Sequence, residues 1–159
     1  NYEDNAFLNR LKAFLTLKMC PSSLLNNYAE FSPVDKVAEA IVTAMQYYTY
    51  PTSILHIYNS KHLYISDLFN ILEQLGLNVR IVDDNTFKTV LKKWLYDNNK
   101  ADKIKVLLND LDKDNKLVYK TNLHITNDFT LKFLNKIGFD WPDVDKDYIE
   151  KILKNINEM

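Results

Sequence analysis

The chain has 159 residues, 47% hydrophobic and 26% charged, which is enough for one domain with its own core. A net charge of −1, with lysines dispersed among acids, leaves no electrostatic footprint for nucleic acid or an anionic membrane. The single cysteine, Cys20, excludes an internal disulfide and fits a cytoplasmic compartment, and no apolar run approaches the ~20 residues of a membrane span.

The opening NYEDNAFL has no initiator Met and enters a helix almost at once, as expected of a piece of a longer chain. Residues 4–18 read as that helix, with Phe7, Leu8, Leu11, Phe14 and Leu15 on one face. Pro21-Ser22-Ser23 breaks the pattern, and YAEF (28–31) alternates as a short strand. Ser32 then reads as an N-cap, with Pro33 at the first helical position and Asp35 at N3. Val34, Val37, Ala38, Ile41 and Met45 follow at helical spacing and predict one buried stripe. ILHIY (54–58) reads as a buried strand, Ser66 as the opening of a helix closed by Gly76, and VRIV (79–82) as another strand.

Further helices are predicted from Phe87, Val90, Leu91, Trp94 and Leu95, and from Ile104, Leu107, Leu108 and Leu111. Residues 109–116 read as a loop. Thr126 or Asn127 caps a helix carrying Phe129, Phe133, Leu134 and Ile137, and GFDWPD is a turn with two anchoring aromatics. The last helix carries Ile149, Ile152, Leu153 and Ile156. The expectation is an α+β or α/β fold, mostly helical, with a small, largely parallel sheet of two or three short strands. Residues 1–159 are read as a single subdomain.

Self-contained chemistry is hard to find. Nucleotide loops need glycines for close backbone approach to phosphates, yet both glycines, Gly76 and Gly138, follow apolar helical runs where a left-handed C′ residue is wanted. Tyr96 and Lys100 have YxxxK spacing, but the intervening Asp-Asn-Asn is poor helix material. Asp110, Asp112 and Asp114 start like a calcium loop, but Asn115 and Thr121 stand where Gly and Glu are required. His56, His62 and His124 have no metal spacing. His56 reads as a hydrogen-bonded core histidine, Asp83-Asp84 as an N-cap, and Cys20 as a packed, inert thiol.

Three segments in order carry a resemblance. FSPVDKVAEAIVTAM (31–45) resembles the F-x-P-V-D-x-V-A-x-A-I passage of extended short-chain dehydrogenase/reductases, where the chain crosses into the substrate-binding part. ILHIYNSKHLYISDLFNILEQLG (54–76) resembles the strand, Asn and helix that follow it. FTLKFLNKIGFDWPDVDKDYIEKIL (129–153) resembles the closing helices of terminal thioester reductase domains of nonribosomal peptide synthetases. The NYEDNAFLNRLKAF opening and the GFDWP turn favour that branch over the sugar epimerases.

The resemblance implies the C-terminal, substrate-binding subdomain of a two-part enzyme. An N-terminal Rossmann half would bind NADPH and carry the catalytic Ser/Thr, Tyr and Lys. A carrier protein would present a phosphopantetheine thioester, released as an aldehyde or alcohol. This chain lacks the Gly-rich turn and a credible catalytic YxxxK, so it is expected to bind no cofactor, hold no metal and be inactive alone. Asn5, Tyr28, Phe31, Ser32 and Trp94 are the residues expected to bind substrate, with Leu95 and the 101–111 helix as a lid or carrier-facing surface. The alternatives are part of a carboxylic acid reductase or nucleotide-sugar epimerase/dehydratase, or a non-enzymatic interaction module.

Overall fold

The computed structural model describes residues 5–49, 54–97, 101–114, 116–118 and 125–157, with side chains to 154. Its architecture is mostly helical with short strands, as the sequence predicts. The chain forms two compact units: Asn1–Asn27, Tyr64–Lys120 and Lys146–Met159 make the first, and Tyr28–Leu63 with Thr121–Asp145 make the second.

In the first unit α1 (Ala6–Leu17) leads into β1 (Met19–Pro21), which pairs in parallel with β4 (Arg80–Val82), Cys20 lying opposite Ile81. The sequence reading missed β1, because three residues ending in proline give no alternation to detect. A parallel pair needs a long crossover. Here it includes α3 (Ile65–Gln74), and α4 (Asp84–Leu95) follows β4. Asp83 caps α4 as expected, its Oδ1 accepting the N–H groups of Asn85 and Thr86 at 3.0 Å each. The hydroxyl of Thr86 donates to its other oxygen, and these bonds hold the Asp83 carboxyl below its ordinary pKa. Phe14 packs edge-on to Phe69 and at a tilt to Phe87, within a core that also takes in Leu72, Leu91, Ile104, Leu107 and Ile149. The helix expected over 104–111 is instead a short α5 (Ala101–Ile104) continued by a 3-10 turn from Lys105 to Asp110, which leaves Leu108 exposed. The chain of this unit closes with α7 (Lys146–Asn157), which buries Ile149 and Leu153. The side chain of Ile156 lies outside the described residues.

The second unit holds β2 (Tyr28–Ala29), α2 (Val34–Tyr47) and α6 (Asp128–Lys136); β2 pairs with β3 (Leu63–Tyr64). Its core is Ala40, Ala44, Leu134, Phe139 and Trp141, with Val37, Leu55 and Ile57 packed against it. Phe139 meets Trp141 edge-to-face at 5.1 Å, so the GFDWP turn is anchored as predicted. Gly138 sits at φ +86 after α6, and the bonds Gly138 N–H to Asn135 O and Phe139 N–H to Leu134 O close the helix as a left-handed cap. Gly76 (φ +80) closes α3 the same way, so both glycines do what their spacing predicts.

Several expectations fail in this unit. Of the stripe Val34, Val37, Ala38, Ile41 and Met45 on α2, only Val37 packs on the core: Val34 is 83% and Met45 78% exposed, and the helix turns Ala40 and Ala44 to the core. The ILHIY segment, expected as a buried strand, instead alternates, with Leu55 and Ile57 inward and Ile54 and His56 outward, and it belongs to no strand. Side chains replace the ladder. His56 N–H donates to Thr130 Oγ1 (3.0 Å), Asn59 N–H to Ser32 Oγ (2.8 Å), and Asn127 Nδ2 to the Tyr58 carbonyl (3.0 Å). His56 is therefore exposed rather than a core histidine, and Asn127 precedes α6 without a side-chain capping bond. Phe129 is likewise exposed, and Thr130 takes the buried place on α6.

Asn59 is fully buried and uses its whole amide. Nδ2 donates to the carbonyls of Phe31 (3.0 Å) and Pro142 (3.1 Å), and Oδ1 accepts from Lys61 N–H (2.9 Å). Asn59→Ala would leave two carbonyls and one N–H without these partners and should cost about 3 kcal/mol, read as a lower urea midpoint at constant m-value. Asn59→Asp keeps the size but replaces the donors with an oxygen facing two carbonyls, and should cost at least as much. A nearly neutral Asn59→Asp would show that packing, not the amide, holds these segments.

Candidate functional site

The expected substrate-binding residues divide between the two units. Tyr28, Phe31 and Ser32 lie in the second; Asn5 and Trp94 lie in the first. Asn5 is the N-cap of α1, its Oδ1 accepting Leu8 N–H at 2.9 Å, so its side chain is engaged in holding the helix start. Trp94 is half-buried on α4. Phe31 is buried in its own unit, and its carbonyl accepts from Asn59.

Tyr28 and Ser32 come together with residues the sequence reading did not connect to them. The exposed ring of Tyr28 stacks on His62 at 4.3 Å, and Tyr58 lies nearly parallel to His62 at 6.3 Å. Ser32 is not the N-cap of α2, a place Pro33 takes without a side-chain bond. The Ser32 hydroxyl donates to Glu30 Oε1 (2.6 Å) while accepting from Asn59 N–H (2.8 Å), so it is held in place from both sides. The Tyr58 hydroxyl donates to Ile125 O (2.9 Å); burial first, then the nearby Glu30, raise its pKa above the ordinary phenol value. Lys61 Nζ reaches Trp141 O (2.6 Å), Asp143 (3.0 Å) and Asp140 (3.4 Å), which ties it to the 139–143 turn, and the carboxylates of Asp143 and then Asp140 raise its pKa.

The result is an exposed ledge of ring faces bordered by a hydroxyl and a carboxylate. Such a surface can hold an extended amide-bearing chain or an apolar acyl group against flat faces. The sequence named Tyr28 and Ser32 directly and, through the resemblance of 54–76, the Asn, without showing what the Asn joins.

A second feature lies in the first unit, where part of the 101–111 segment was expected to face a partner. A groove of about 620 Å³ is lined by Asn9, Lys12 and Thr16 of α1 and by Asp102, Lys103, Lys105 and Val106. Lys105 pairs with Asp102 at 3.0 Å, so Lys12 and Lys103 supply most of its positive character. In the same unit, Arg10 pairs with Asp110, whose side chain is only 2% exposed. Burial dominates over the Arg10 charge and raises the Asp110 pKa. Cys20 is buried and its thiol pKa is pushed up, chiefly by desolvation, which suits an inert packed thiol.

No three His, Cys, Asp or Glu residues converge as a metal site among the described residues, and no helix among them is long and apolar enough to cross a membrane. Tyr96, of the YxxxK pair, is 89% exposed at the end of α4. Lys100 and His124 lie outside the described residues. Both glycines close helices, so neither offers the open backbone approach a pyrophosphate requires.

The arrangement of helices around short strands recurs in solved structures. The chain shares it with a thiolation-reductase di-domain from an archaeal non-ribosomal peptide synthetase (TM-score 0.77, 23% identity, 99% of this chain and 32% of that one). It shares it also with the terminal R domain from the myxalamid PKS-NRPS biosynthetic pathway (0.74, 20%, 98% and 38%) and with the aureusimine biosynthetic cluster reductase domain (0.73, 23%, 99% and 39%). The chain thus spans 32–39% of the length of these structures, and at these identities the likeness is one of fold. No family model matches the sequence, and no curated protein does.

The Asp110 assignment has a pH signature. With its folded pKa raised above the ordinary value of 3.8, protonation favours the folded state. That contribution is fully present below the unfolded pKa and is lost as pH rises through the folded pKa. Asp110→Asn should therefore flatten the fall in urea midpoint as pH rises above about 4. An unchanged slope would place the titration elsewhere.

Proposed function

We propose that this chain is the substrate-facing part of a terminal reductase domain that releases a carrier-bound thioester as an aldehyde or alcohol. The observation that carries the reading is the fold match over 98–99% of the chain to three reductase domains, each far longer than this chain. The engaged glycines support the same division of labour: NADPH and the hydride chemistry belong to an N-terminal Rossmann half, and this part shapes the path of the thioester. The ledge of Tyr28, Tyr58 and His62 would hold the acyl group or pantetheine arm. The groove between Lys12 and Lys103 would face the carrier protein, whose phosphopantetheine phosphate its positive charge suits. No observation favours a sugar-nucleotide enzyme or a non-enzymatic module over this reading.

Calorimetry tests the division directly. The 159-residue chain should give no binding heat with NADPH, whereas the same chain expressed with its upstream coding sequence should bind it. Upstream sequence without a Gly-rich Rossmann turn and a catalytic Tyr-x-x-x-Lys would sink the proposal. In the complete domain, Tyr28→Ala should raise KM for a pantetheine thioester about fivefold, the ~1 kcal/mol of one ring contact, with kcat within about twofold. A loss confined to kcat would move Tyr28 from the binding surface to the chemistry.

A further inference from the structure

The ledge of Tyr28, Tyr58 and His62 has a charge pattern as well as a shape. Tyr28 and Tyr58 both lie within 25° of parallel to His62, their ring centroids 4.3 and 6.3 Å from its own. Tyr28 is 56% exposed and His62 is exposed too, so ring surface is open to a ligand. Two carboxylates border these rings. Residues 28–31 alternate, with Ala29 and Phe31 buried, so Glu30 stands on the same outward side as Tyr28. The Ser32 hydroxyl fixes its Oε1 at 2.6 Å. Asp128 opens α6 directly after Asn127, whose amide holds the Tyr58 carbonyl, while the Tyr58 hydroxyl donates to Ile125 O. The Tyr58 phenol registers both charges: after burial, the nearby Glu30, Tyr28 and Asp128 keep its pKa raised. Neither carboxylate has a cationic partner among the described residues. The ammonium of Lys61, next to His62 in the chain, is held by Trp141 O, Asp143 and Asp140, and that of Lys36 by Glu39.

We propose that this ledge is a subsite for a positively charged side chain, an ammonium or a guanidinium, on the acyl chain of the thioester. The proposal rests on the function proposed above and names the class of substrate that the same surface selects. A cation seated over an aromatic face is attracted by the electron density of the ring. Glu30 and Asp128 supply the opposite charge at the border of the rings. A guanidinium adds a further contact, because it is planar, weakly hydrated and stacks on aromatic faces. An uncharged chain of the same shape keeps the ring contact but gains nothing from the two carboxylates. The rings therefore set the shape of what binds, and the carboxylates set its charge.

Matched thioesters test the charge. The complete domain, expressed with its upstream coding sequence, is assayed with NADPH and the pantetheine thioesters of Nα-acetylated arginine, citrulline and norleucine. Citrulline keeps the size and planarity of arginine and lacks only the charge. The kcat/KM for the arginyl thioester should exceed that for the citrullyl one about tenfold, through KM rather than kcat. Glu30→Gln retains an acceptor for Ser32, and Asp128→Asn lies at an exposed position; each should cut that ratio about threefold. Equal KM values for the arginyl and citrullyl thioesters, or a preference for the norleucyl one, overturn the cation subsite while leaving the proposed function standing. An arginyl preference that survives both substitutions unchanged places the selection on another surface and also overturns it. A complete domain that reduces none of the three thioesters removes the proposed function and the subsite together.

Discussion

The second unit depends on one buried amide. Asn59 joins three stretches distant in sequence: the 31–32 entry to α2, its own extended segment, and the turn at Pro142. A carboxamide suits the place because it supplies two donors and an acceptor without charge. Buried alternatives would leave carbonyls unpaired or bring an ion into the core. Other side chains accompany residues 54–59, which run without a sheet. Their backbone groups find Thr130, Asn127 and Ser32 rather than a neighbouring strand.

The proposed substrate surface inherits its geometry from this network. Ser32 is held by Asn59 on one side and Glu30 on the other, and the segment that carries Asn59 also carries Tyr58 and His62. The ring ledge is therefore positioned by backbone pinned at fixed points rather than by a free loop. Lys61 reinforces it by tying the same segment to the carboxylates of Asp140 and Asp143. A binding surface built this way can be open to solvent and still hold its shape.

The first unit is organised differently. Its parallel β1–β4 pair is short, and stability comes from aromatic and aliphatic packing around Phe14, Phe87 and Leu91. The Arg10–Asp110 pair links α1 to the end of the 3-10 turn, so the groove wall is braced by one nearly buried carboxylate. The glycines are engaged in closing α3 and α6, where positive φ is needed.

Much of this fold was legible in the sequence wherever the signal was local. Helical periodicity located α1, α3, α4, α6 and α7, Asp83 announced its cap, and the two glycines announced helix ends. The apolar run 54–58 was read as a buried strand, whereas only Leu55 and Ile57 face the core and no strand forms. Periodicity reports that a face is apolar, however, and not what covers it. The stripe of α2 was visible as a stripe, but only the tertiary structure turned the alanines inward and left Val34 and Met45 open. The N-cap at Ser32 failed for the same reason, since a partner distant in sequence, Asn59, claimed the hydroxyl. Extended residues likewise say nothing about whether a strand or a set of side chains will satisfy them. Those outcomes depend on long-range hydrogen bonds and packing, which the sequence encodes only through the folded chain.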